Sequence, residues 1–120
     1  MSQQSPKHKL SFIAGSDLSN ALYKICKITG NQTVDLVSTV NDVPLGVISE
    51  PNIAGKPVTV TLAGTSKVVL GGNVNAGDVL AIKNDGTVVV YDSENYPQKV
   101  GIALEGGTTG SIIEMLIRIL

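Results

Sequence analysis

Gly46-Val47-Ile48-Ser49-Glu50 and Gly101-Ile102-Ala103-Leu104-Glu105 are one strand written twice. Each run opens on glycine, carries apolar residues through its middle and closes on glutamate. Each is followed by another glycine, Gly55 or Gly110, and then by a returning run that contains Val58 and Val60 in the first copy and Ile113 and Met115 in the second. Upstream, Cys26-Lys27 with Gly30 and Val34 echoes Ile82-Lys83 with Gly86 and Val90, slipped by one residue. Each copy reads as a hairpin, a turn beginning in glycine and a returning strand, so the chain is expected to hold two similar β units in succession.

Asn84-Asp85-Gly86 sets the element type. It sits between Val79-Leu80-Ala81-Ile82 and Thr87-Val88-Val89-Val90-Tyr91, and Asp-Gly tolerates the positive φ that a tight antiparallel hairpin needs. Residues 57–63 alternate Val58, Val60 and Leu62 against Thr59 and Thr61, one face buried and one hydroxylated. Ile113, Met115, Ile117 and Ile119 share a face opposite Glu114 and Arg118, with a helix as the alternative because a short apolar run is not typed by period alone. Residues 21–28 could form a short helix capped by Asp17, but a strand is preferred because residues 79–83 stand in the corresponding place. About eight to ten short strands with glycine turns predict a mostly β fold, a single small β-barrel or sandwich built from two pseudo-repeated β units. Residues 1–9 are polar, contain Pro6 and show no period, so they read as a flexible, extended N-terminal arm ahead of a single β domain at 10–120.

Composition narrows the function. At 120 residues the chain is long enough for one core but not two. The formal charge of −1 comes from nine basic and ten acidic residues without a cluster of either sign, which argues against nucleic acid and anionic membrane as partners. Cys26 is the single cysteine, so no internal disulfide forms, and it reads as a small buried hydrophobe rather than a reactive thiol. No apolar run resembles a signal peptide or a membrane span, and the chain is expected to be soluble and made in the cytoplasm.

Residues that could carry catalysis are few. His8 is the lone histidine and lies in the arm, so a triad would rest on an unanchored base. His8 and Cys26 together fall short of the three or four ligands of a zinc site. The carboxylates fall mostly in predicted turns, and Gly71-Gly72 and Gly106-Gly107 lack the lysine and helix of a phosphate loop. Single-stranded nucleic acid binding would need exposed aromatics, yet only Phe12, Tyr23, Tyr91 and Tyr96 are present. These readings predict no enzyme and no cofactor. An alternative is a carrier or ligand-binding domain: residues 74–82 look like the segment entering the lysine hairpin of biotinyl and lipoyl domains, which would put Lys83 at the tip. The flanking Met-Lys-Met or Asp-Lys of those carriers is missing.

The order Tyr23-Lys24-Ile25-Cys26-Lys27, Pro44-Leu45-Gly46-Val47, Ala54-Gly55-Lys56-Pro57-Val58, Asn75-Ala76-Gly77-Asp78, Asp85-Gly86 and Val100-Gly101-Ile102-Ala103-Leu104-Glu105 is similar to small phage proteins of the capsid cement or decoration kind. The resemblance covers residues 23–120. It implies a compact β domain on the outside of a phage head, a homotrimer that binds the major capsid protein, made in the host cytoplasm and carried on the virion exterior. The arm lies outside the resemblance. Its Lys7, His8 and Lys9, followed by Leu10 and Phe12, are candidate capsid-binding residues, because an extended segment can add a strand to an exposed sheet edge. Three arms on one trimer would raise avidity by roughly 10²–10⁴.

Overall fold

A computed structural model describes residues 8–119. In chain order the strands are β1 (His8–Ala14), β2 (Ile25–Gly30), β3 (Thr33–Leu36), β4 (Gly46–Glu50), β5 (Pro57–Ala63), β6 (Thr65–Val69), β7 (Val79–Ile82), β8 (Val88–Val90), β9 (Lys99–Ala103) and β10 (Ile112–Ile117). The first five close into a barrel in the order β1-β3-β2-β4-β5, and the last five form a sheet in the order β6-β10-β9-β7-β8. The expected β class and the two similar halves are both there, and the described residues contain no helix. The C-terminal run is a strand: Ile113, Met115 and Ile117 are buried, as the alternation requires. Residues 21–28, for which a helix was the alternative, make a turn at Leu22-Tyr23 and are strand β2 from Ile25 on.

The repeat is more complete than the matching runs imply. In the first unit β1 lies beside β5, then come β4, β2 and β3; in the second β6 lies beside β10, then come β9, β7 and β8. Every strand therefore has a counterpart. Cys26 pairs with Leu36 and Gly46, and Leu80 pairs with Val90 and Gly101. These registers correct the upstream alignment, since Cys26 corresponds to Leu80 rather than Ile82, and Val34 to Val88 rather than Val90. Matching Gly30 to Gly86 misplaces the register because the left-handed residue of the first turn is Gln32, at φ 54°, while that of the second is Gly86, at 85°.

Two further matched pairs show what the repeat demands of its residues. A Cβ on Gly46 would run into the Thr61 carbonyl oxygen, and one on Gly101 into that of Leu116. Glycine begins each copy because the facing main chain leaves no room for a side chain. Tyr23 and Gly77 are the second pair: their N–H groups donate to Ile48 and Ala103 respectively, each at 2.8 Å. Both have positive φ, 65° and 90°. Glycine adopts that conformation freely, whereas tyrosine pays about 1 kcal/mol for it.

Two buried clusters replace the single expected core. The closed barrel of the first unit, barrel 1, encloses Phe12, Ala14, Cys26, Val34, Ile48, Val58 and Val60. The second cluster joins Val68, Leu70, Leu80, Ile82, Val88, Ile113 and Met115 with Ile25, Val37 and Val47 of the first unit. Barrel 1 thus fills its own interior and then lends its outer surface to fill the next one, which is how 120 residues support two cores. Thr61, Val47 and Ile25 make a cross-strand row on the outside of barrel 1, and all three are buried. Thr61 was expected on the solvent side with Thr59; it is covered because this row faces the second unit.

The seams of the two units explain why one is a barrel and the other an open sheet. In the first, Ile13 N–H donates to Gln32 C=O at 2.7 Å, and β1 continues in parallel pairing with β3. In the second, only Leu70 and Val88 bridge in parallel. The counterparts of Ile13 and Gln32 turn to the first unit: Val69 N–H donates to Tyr23 C=O at 3.2 Å, and Gly86 C=O accepts from Ile25 N–H at 2.8 Å. The chain entering β2 is wedged into the seam of the second unit. This wedge places Ile25 inside the second core, where burying an isoleucine contributes about 1.5–3 kcal/mol.

Candidate functional site

Of the candidate contact residues, Lys7 lies outside the described residues. His8 and Lys9, read from sequence as part of the arm, belong to β1, paired with Ala63 and Thr61. They are strand rather than arm because β5 runs on to Ala63 and supplies a partner. Phe12 is 8 % exposed and packs in the barrel 1 core, so its side chain is not presented at the surface. Leu10 shares its side of the strand but projects past the barrel rim and is 55 % exposed. Ala14 N–H donates to Lys56 C=O, so by strand alternation Leu10 and Phe12 also bond to β5. Lys9 and Ser11 direct their main-chain groups to the opposite edge. Among the described residues that edge is paired only at Ile13 and Ala14. Residues 8–11 therefore present a half-open strand edge, with Leu10 beside it and Lys9 as the charged residue that commonly guards such edges.

A polar cleft of 210 Å³ lies between the units, lined by Lys9, Tyr23, Thr61, Lys67 and Glu114. The main-chain N–H of Glu114 donates to the Glu105 carboxylate at 2.9 Å. A larger groove, 420 Å³, is mostly apolar: Val43 and Pro44 form one lip, Pro97 the other, and Val79, Ile102 and Ile119 the floor, with Lys99 and Arg118 at the rim. Lys99 is held there by its ammonium, 4.7 Å from the centre of the Tyr91 ring.

Val43 reaches the groove because Asp42 organises the loop before it. The Asp42 carboxylate accepts the Ser38 and Thr39 N–H groups at 2.7 and 2.9 Å, the Thr39 hydroxyl at 3.0 Å and the Lys27 ammonium at 3.0 Å. Those main-chain donors first, and Lys27 next, hold its carboxyl far below the usual carboxylate range. The result is a rigid turn that leaves Val43 67 % exposed.

The other chemistry-bearing residues serve the fold. Cys26 is fully buried, its thiol donates to Gly46 C=O at 3.7 Å, and burial pushes the thiol up to about 12. This is the buried hydrophobe expected from sequence. Asp35 accepts the Ser16 and Thr29 hydroxyls at 2.6 and 2.7 Å. Lys83 does not project from its hairpin: its N–H donates to Thr87 C=O and its ammonium lies 3.4 Å from Gly71 C=O. No group of three His, Cys, Asp or Glu side chains among the described residues is placed to hold a metal ion. No helix among them is long and apolar enough to cross a membrane.

Sequence reasoning missed the apolar groove. The signal was in Val79 and Ile102, apolar residues on the outward side of β7 and β9, where a strand with one solvent face should carry polar ones.

No family model matches the chain, and no curated protein matches it. Among solved structures it is similar to the head fiber gp8.5 N base of bacteriophage phi29, with a TM-score of 0.72 and 19 % identity over 94 % of this chain and 95 % of that one. At that identity the likeness speaks for architecture: the doubled five-stranded unit derived above is the fold of that head fiber base.

Proposed function

We propose that this chain is a structural, non-enzymatic protein of a phage virion, a homotrimer seated on the head exterior where it binds and stabilises the major capsid protein. The observation that carries the reading is the likeness in fold, along nearly the whole chain, to the phi29 head fiber base. The molecule has the physical make-up for such work. Two interlocked β units give a stiff body, and the half-open edge of β1 offers main-chain groups to a neighbouring strand, with Leu10 to set register. Three copies of that edge would act together by avidity.

Cosedimentation with purified heads of the phage that carries the gene tests the reading. Wild-type protein is expected to pellet with heads and to saturate. Leu10→Asp, and Ser11→Pro, which removes an N–H directed to the open edge, are expected to weaken binding at least tenfold while the melting temperature stays near wild type. Unchanged binding by both variants would move the contact off β1. No binding at micromolar concentration would overturn the reading.

The carrier alternative finds little support in the geometry, because Lys83 is folded against Gly71 instead of standing at the Asn84-Asp85 tip. Intact mass after expression beside a biotin or lipoyl ligase tests it.

A further inference from the structure

The repeat allows each surface of one unit to be compared with the same surface of the other. On barrel 1 the outward row Thr61-Val47-Ile25 is buried because the second unit packs over it. Its counterpart on the second unit is Leu116-Ile102-Val79: Leu116 pairs with Ile102 and Ile102 with Val79, all directed away from the core. Among the described residues nothing covers this second row completely. Val79 is 40 % exposed, against 0 % for Ile25, and Ile102 and Leu116 are half-buried.

The open row is also more apolar than the covered one, with leucine where barrel 1 has Thr61. Exposed Leu104 and Ile112 widen the apolar face. A sheet surface meant for water carries polar residues, and barrel 1 does so at Ser11, Lys27, Asp35 and Thr59. The second unit keeps Lys67 and Glu114 at the counterparts of Ser11 and Thr59 but is apolar along Leu116-Ile102-Val79 and at Leu104 and Ile112, and the groove between Val43 and Pro97 runs along that part of it.

We infer that the outward row Leu116-Ile102-Val79, with Val43 as its lip, is a self-association surface, covered in the assembled protein by a second copy of this chain. Three observations choose a second copy. The equivalent row is already buried by a β unit of the same repeat, so this position on the fold is one that another β unit can cover. The groove is continuous with that internal interface, since Val43 and Pro44 come from the first unit while Val79 and Ile102 come from the second. The substitution of leucine for threonine strengthens the apolar character where no intrachain partner follows. The inference rests on the self-association proposed above and adds the face through which it occurs. In a three-fold ring the contact is heterologous, the row of one copy meeting a different surface of the next.

Light scattering on purified full-length protein, over a dilution series from high to low micromolar concentration, tests it. Wild type is expected to exceed the 12.5 kDa monomer mass. Ile102→Lys and Val79→Lys are expected to bring the mass down to monomer with an unchanged circular dichroism spectrum. Ile53→Lys, at an exposed apolar residue in the loop before β5, is the control and should leave the assembly intact. If either lysine variant unfolds, Ile102→Thr and Val79→Thr keep the β-branch and should raise the dissociation constant at least tenfold. A multimer that survives every row variant overturns the inference and leaves self-association standing. A monomeric wild type overturns both. Head binding is read separately by sedimentation.

Discussion

Ile25 and Val79 occupy the same place in the two units, as do Val47 and Ile102, so truncating each to alanine asks what burial alone is worth. Ile25 and Val47 lie in the second core at 0 % exposure. Removing a fully buried isoleucine side chain to alanine costs 2–5 kcal/mol, and about 3 kcal/mol is expected for Ile25→Ala because barrel 1 is closed behind it and cannot relax into the gap. Val47→Ala should cost about 2 kcal/mol. Val79 loses two methyl groups that are worth about 0.8 kcal/mol each when wholly buried, so its partial exposure predicts less than about 1 kcal/mol in the monomer. Ile102→Ala should cost about 1–1.5 kcal/mol on the same reasoning. At roughly 4 °C per kcal/mol for a domain of this size, Ile25→Ala melts about 12 °C lower and Val79→Ala no more than about 4 °C lower. The two rows carry isoleucine and valine in opposite order, so residue type cannot produce a difference that follows the row. Thermal and urea melts should be run at the lowest usable concentration, to keep the open row free of a partner. Equal losses in the two rows would refute the argument that the wedge at Tyr23-Lys24-Ile25 completes the second core.

Four other outcomes are expected. The Asp42 carboxyl is depressed in the folded state, so the stability it contributes is present above about pH 4, the unfolded value, and is lost as the pH falls below it; the melting-temperature gap between wild type and Asp42→Asn should therefore narrow in acid. Cys26 should resist a thiol reagent in the native protein at neutral pH and react only at the rate of global unfolding, since it is buried and its thiol is pushed up to about 12; fast labelling of folded protein would contradict this. Gly77→Ala should cost about 1 kcal/mol from backbone conformation alone, because φ is 90° and a Cβ there meets nothing within 4 Å. Gly101→Ala should cost more, and yield little folded protein, since its Cβ would strike the Leu116 carbonyl and lie 2.8 Å from the Met115 side chain.

The elements were legible because alternation and turn chemistry are local. Residues 57–63 are β5 as read, and Asp85-Gly86 turns β7 into β8. What lay beyond reach was the relation between units. The burial of Thr61 cannot be told from the partial exposure of Thr59 by pattern, because both are threonines on one face and only the docking of the second unit separates them. Aligning glycine to glycine put Cys26 opposite Ile82, since the left-handed place in the first turn is filled by Gln32, which carries no glycine signal. Among the candidate contact residues Lys7, His8, Lys9, Leu10 and Phe12, strand character was legible at Leu10 and Phe12 but the side each side chain faces was not. Leu10 and Lys9 do reach the surface, but Phe12 continues the inward alternation of β1 and belongs to the core.

The split seam of the second unit has a consequence for the order in which the molecule is made. The first unit closes with bonds between its own residues, so it can complete itself as soon as β5 has been synthesised. The second cannot: Val69 and Gly86 need Tyr23 and Ile25 as partners, and its interior needs the outside of a finished neighbour. Assembly of the chain is therefore directional, with the N-terminal unit serving as template for its own duplicate. A duplicated unit that cannot close alone ties the second fold to the first in time as well as in space.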